Sequence, residues 1–180
     1  MCRHLAGVWT IALLALAGPA AAQQSAVVSH AGEIPQAIRL EHEETIRHLT
    51  AIARRRAPVG TIAAKALEVM RKHHIQESAF ILPPLTLLQS LSEGKVSPDM
   101  RWAIAMADKV KAEKEQIFAV HVRITELMTE LRVAAEKAKD EDAKEFAVTA
   151  VADALNDMEV QEPTTMLIGE YLRVKLPATP

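Results

Sequence analysis

The sequence predicts an all-α protein, an up-down-up-down four-helix bundle, and three observations predict it. Apolar residues make up 49% of the 180 residues, while aromatics reach only 3% and glycine only 6 positions. That is enough for a core and too little of what β-sandwiches use. Apolar residues also recur at three- and four-residue spacing in four separate blocks. Short connections join the blocks, which makes successive helices antiparallel neighbours. The net charge of −2 argues against a nucleic-acid-binding surface. The single cysteine, Cys2, excludes both a disulfide framework and a thiolate zinc site.

Residues 1–22 read as an export signal. Arg3 gives a positive start, residues 8–17 a short apolar run that Gly18-Pro19 breaks, and Ala20-Ala21-Ala22 a small-residue cleavage site before Gln23. The expected mature protein is periplasmic or secreted, without a stable membrane span and without cysteine. Residues 23–34 are a polar lead-in, 35–175 the bundle and 176–180 a tail.

The first helical block carries Ile38, His42, Ile46, Leu49 and Ile52 on one face and closes at Arg54-Arg55-Arg56, before a turn at Ala57-Pro58-Val59-Gly60. The second carries Ile62, Ala66, Val69, His73, Glu77 and Phe80 and meets Pro83-Pro84, after which a short helical piece spans 85–91. Gly94 and Pro98 mark a loop, with Ser97 as N-cap and Pro98 at the first helical position. The third block runs from about 98 to 138 with Val110, Ile117, His121, Ile124, Met128 and Leu131 inward. The fourth runs from about 141 to 162 with Phe146, Ala150, Asp153, Asp157 and Val160. Pro163 interrupts it and 164–174 continue it. Crowded charges and a lapse of the apolar stripe place the third turn at Lys139-Asp140.

Six residues do not belong on plain core faces: His42, His73, Glu77, His121, Asp153 and Asp157. In an antiparallel hairpin, residues equidistant from the turn share a height. His42 and His73 flank the Pro58 turn equally, Glu77 and His121 the Pro98 loop, and His121 and Asp153 a point beside Lys139. All six therefore fall in one layer. The pattern also repeats: His73-x3-Glu77-x5-Pro83 recurs as Asp153-x3-Asp157-x5-Pro163, offset by 80, and His42 recurs as His121, offset by 79. Buried carboxylates and imidazoles cost several kcal/mol, of order 2–7 each, unless paired or bound to metal. Three histidines and three carboxylates are a ligand set suited to iron, manganese or zinc.

This pattern resembles the hemerythrin-like, HHE cation-binding family over about residues 35–175. HHIQESAFILPPL is similar to that family's second-helix motif and MEVQEPTTMLIGEYLRVKL to its fourth-helix end. The paired arrangement resembles most the di-iron iron-centre repair proteins. The resemblance implies two iron ions, Glu77 and Asp157 as bridges, and His42, His73, His121 and Asp153 as terminal ligands. It also implies dioxygen or nitric oxide as small ligands, or the handling of iron. Asp153 stands where the family has His, and Asp157 where it has Glu. Thr125 stands where the oxygen carriers have a further His.

Other residues read more plainly. His74 lies one residue off the ligand face and reads as surface; His48, six residues after His42, points elsewhere. Arg54 to Arg56, Arg71 and Lys72 suit helix C-termini. Met70, Met128 and Met158 fill core. No Gly-rich phosphate loop, nucleophile elbow or haem-attachment motif is present. Two other readings stay open: a bundle binding haem through His and Met, and a metal-free interaction or chaperone-like bundle.

Overall fold

A computed structural model describes residues 30–176. The export signal at 1–22, residues 23–29 of the lead-in and residues 177–180 of the tail lie outside the described residues. Every regular element among the described residues is helical. No helix among them is long and apolar enough to cross a membrane.

Helix α1 spans Gln36–Ile52 and follows Pro35, which cannot extend it backwards. Helix α2 spans Val59–Gln76. A π-turn, Glu77–Ile81, and a 3-10 turn, Pro83–Leu87, lead into the short α3, Leu88–Ser92. Pro98 opens a 3-10 turn to Arg101, which runs into the long α4, Trp102–Ala138. Ser97 is extended as expected of an N-cap, but its hydroxyl bonds Asp99 instead of a backbone amide. Lys139 takes the left-handed conformation at the end of α4, and Asp140 caps α5, Glu141–Asn156, by accepting from the Ala143 amide at 3.2 Å. The third reversal thus falls at Lys139-Asp140. A second π-turn, Asp157–Gln161, joins α5 to α6, Glu162–Lys175, so the chain continues through Pro163 without reversing.

Helix α4 is the spine: it packs against α2, α5 and α6, while α1 packs on α2 and only grazes α5. Gly169 on α6 sits where a Cβ would collide with that of Ala107 on α4, so its missing side chain sets this close approach.

The apolar interior is in two parts. One holds Leu49, Ile52, Met70, Ile124, Leu131 and Phe146; the other holds Phe80, Leu82, Trp102, Ile117, Ile168 and Leu172. On α2 the break falls between Met70 and Phe80, on α4 between Ile117 and Ile124, and along α5–α6 between Ala154 and Ile168. His73, Glu77, His121 and Glu162, all buried, lie in that break. A polar layer therefore crosses the whole interior. Filling it with apolar side chains would contribute roughly 1.5–3 kcal/mol each, so the layer forgoes stability that the fold had available.

Candidate metal centre

The two π-turns build the site. Proline lacks an N–H and its ring presses on the carbonyl four residues back. Ahead of Pro83 the Leu82 N–H reaches five residues back to the Glu77 carbonyl, at 2.9 Å. Ahead of Pro163 the Glu162 N–H reaches the Asp157 carbonyl in the same way. Each helix is widened by one residue at the carboxylate of the repeated motif, and such bulges are frequent at functional sites. The repeat His/Asp-x3-Glu/Asp-x5-Pro is thus also a repeat of backbone geometry, offset by 80 residues.

Potential ligand atoms converge in two groups. His73, Glu77, His121 and Asp157 form one, with all four atoms within 4.8 Å of one another; His42, His74 and Glu77 form the second. Glu77 belongs to both. Its Oε1 lies 3.2 Å from His73 Nε2 and its Oε2 lies 3.4 Å from His42 Nε2. In the first group, Asp157 Oδ2 stands 3.9 Å from both His73 Nε2 and His121 Nε2. The Gln161 amide donates to Asp157 Oδ1 at 2.5 Å and so holds that carboxylate. In the second group, the His42 and His74 rings stack at 3.7 Å.

His121 shows how a ligand is prepared. It is fully buried, and its Nδ1 stands 3.2 Å from the Ile117 carbonyl one turn back. A carbonyl only accepts, so Nδ1 carries the proton and Nε2 presents a bare lone pair to the cluster. Glu162 Oε1, also 3.2 Å from Nδ1, backs the same ring. The His121 Nε2, Glu77 Oε2 and His73 Nδ1 atoms are buried without a hydrogen-bond partner. An unsatisfied buried polar atom costs about 1–3 kcal/mol. For Nε2 and Oε2, which converge with the other ligand atoms, a cation removes that cost.

Electrostatics agree. Burial pushes His42 and His121 down to about 4 and His74 to about 3, so all three are neutral imidazoles at neutral pH. Burial also opposes charge on His73, but Asp157 and Glu77 together outweigh it and raise His73 to about 9. Glu77 is raised, first by burial, and Glu162 is raised to about 7 by burial and by Glu77. One proton on His73 thus balances part of the negative charge, in the place where a metal cation would balance more of it.

Of the six sequence-predicted residues, His73, Glu77, His121 and Asp157 come together, and His42 joins through Glu77. Asp153 belongs to neither group; it lines the adjoining cavity with Glu41, His42, His73, His74 and Asp157. Sequence reasoning missed His74, which is partly buried against His42 and not a surface residue. It also missed Glu162, and there a signal existed. Glu162 immediately precedes Pro163, so the widened turn that the proline demands brings position 162 back under position 157. His48 bonds Asp142 across α1 and α5 and takes no part in the cluster.

No protein-family model, curated protein or solved structure matches this chain. The case for the site rests on its chemistry: a buried His/Glu/Asp cluster, able to bind a metal ion, inside an all-helical protein.

Proposed function

We propose that this chain is an exported, hemerythrin-like, non-haem di-iron protein whose up-down-up-down four-helix bundle binds dioxygen or nitric oxide, or handles iron, at its interior cluster. One observation carries the reading: Glu77 is shared by two ligand groups, with one oxygen turned to each. A carboxylate so divided suits a bridge between two cations. The mixed imidazole and carboxylate donors suit iron, and also manganese or zinc.

His73, His121 and Asp157 would complete one coordination sphere, and His42 with His74 the other. When bound, two iron ions would supply a redox-active centre with coordination positions left for a small diatomic ligand. The chain's own residues do the rest. The Ile117 carbonyl orients His121, Glu162 stands beside the same ring, Gln161 holds Asp157, and the two apolar cores keep bulk water from the layer. Asp157 and His42, 17% and 16% exposed, leave the layer open to small molecules from one side. Asp153 adds an anion beside the centre, which favours the more oxidised metal state.

The test is metal content and an optical spectrum on the purified full chain after anaerobic loading with ferrous iron. The expected result is about two iron per chain, near-ultraviolet absorption without a Soret band, and a mature terminus near Gln23 in protein from the cell envelope. Substoichiometric metal, or a Soret band, overturns the di-iron reading.

A further inference from the structure

The seam between α1 and α5, beside the site, is loosely packed and lined with carboxylates. Glu41, Glu44, Thr45 and His48 present one face of α1; Asp142, Glu145, Thr149 and Asp153 present the facing side of α5. Between them lies an open groove of about 390 Å3. Two helices packed face to face ordinarily bury apolar side chains. Here Phe146 and Ala150 line the floor, and five carboxylates stand around them on the two helices. At the outer end, Arg47 pairs with Glu44, and Arg55 and His48 with Asp142. Among the described residues no cation pairs with Glu41 or Asp153, whose charged neighbours are other carboxylates, so charge stays uncompensated at the inner end.

That inner end opens on the cluster. A second cavity, of about 20 Å3 and room for a single water-sized species, shares Glu41, Thr45, Ala150 and Asp153 with the groove. Its remaining wall includes His42, His74, Asp157 and His73, and the Nδ1 of His73, itself 2% exposed, has no hydrogen-bond partner. Glu41 and Asp153, on opposite helices, line both spaces. The carboxylates thus form a continuous path from solvent to buried ligand atoms. A lined cleft of one sign focuses field into its interior and raises the local concentration of the opposite ion.

We propose that this seam is the port through which a divalent cation reaches the buried cluster, with Glu41 and Asp153 as the pair that passes it inward. The proposal rests on the metal reading above, and the experiment separates the two. The chain stripped with chelator is mixed with Co2+, whose visible bands report entry into the cluster, and the rate and final stoichiometry are read as functions of salt. The variant is E41Q/E44Q/E145Q, which leaves every residue of the two ligand groups, and Asp153, untouched. At low ionic strength it should load about tenfold or more slowly than wild type. It should reach the same stoichiometry, and the difference should shrink as salt screens the groove. Equal rates at low salt overturn the port and leave the metal centre standing. A lower final stoichiometry in the variant also overturns it, because these glutamates would then be ligands and not a path. A wild-type chain that takes up no Co2+ overturns the metal reading, and the port with it.

Discussion

The two halves of the molecule repeat one backbone device and fill it with different chemistry. The first half places His42 on α1, His73 on α2 and Glu77 at the head of a π-turn; the second places His121 on α4, Asp153 on α5 and Asp157 at the head of another. Glu77 is 1% exposed and reaches both ligand groups, whereas Asp157 is 17% exposed and reaches one. The shorter, more open acid in the second half, and Asp153 in place of an imidazole, leave the second group to the first half alone: His42, His74 and Glu77. Repetition set the height of the ligands, and side-chain length then decided which half commands the centre.

The largest break in this asymmetry is Glu77→Gln. It should abolish metal binding in both groups, and in the metal-free chain it leaves charged His73 facing Asp157 alone. Removing one partner of a buried pair costs about 3–5 kcal/mol. His74→Ala and Asp157→Asn should each remove about half the metal, from opposite groups, with smaller losses of stability. Metal analysis and thermal unfolding of the three variants check this. Equal metal loss in all three would show a single undivided site and erase the distinction between the halves.

A pH titration of the metal-free chain sharpens the comparison. His73 has a folded value of about 9 against about 6.5 unfolded. Its contribution is therefore complete below 6.5 and lost as pH rises through 9. His42 and His121 sit at about 4 when folded. Between 6.5 and 4 the unfolded chain takes up protons that the folded chain refuses, so stability falls as pH drops through that range. The expected profile peaks near 6.5, falls below it, falls also from 6.5 to about 9, and levels off above. In the metal-loaded chain the alkaline decline should vanish, because a cation has replaced the His73 proton. A metal-free profile that stays flat or rises between pH 6.5 and 9 would show that His73 is not held charged by Glu77 and Asp157.

The layer itself was legible in the sequence because helix geometry is rigid. Equal distances from Pro58, Pro98 and Lys139 gave equal heights, and i,i+4 spacing put His73 beside Glu77. Rigid arithmetic failed where the helix was not an α-helix or where a neighbour moved in. Glu162 is five residues beyond Asp157 and would sit off its face on a regular helix; only the π-turn ahead of Pro163 brings it under His121. His74 is one residue off the ligand stripe and reads as surface until α1 lies on that side of α2 and stacks His42 upon it. Glu41 carried no signal in spacing, and the spacing that put Asp153 in the layer did not show its meeting with Glu41, which depends on how loosely α1 lies against α5.

The smallest expected effect concerns the turns far from the buried cluster. The first hairpin reverses at Pro58 with no side-chain cap on α2. The second reverses at Lys139, with φ of 58°, followed by the Asp140 cap that Arg55 of the first turn also grips. A left-handed conformation costs a side-chain-bearing residue about 1 kcal/mol and glycine nothing. Lys139→Gly removes that strain but forfeits a charge beside the α4 C-terminus, worth about 0.3 kcal/mol when exposed, and loosens the unfolded chain. The net gain should be about 0.5 kcal/mol or less, roughly 1–2 °C in Tm for a chain of this length. Metal content should not change, because no ligand lies near this turn. A lowered Tm would show that the lysine's charge or stem contributes more to the second turn than its strained backbone costs. The two hairpins would then differ in surface electrostatics as well as in the acids they bring to the centre.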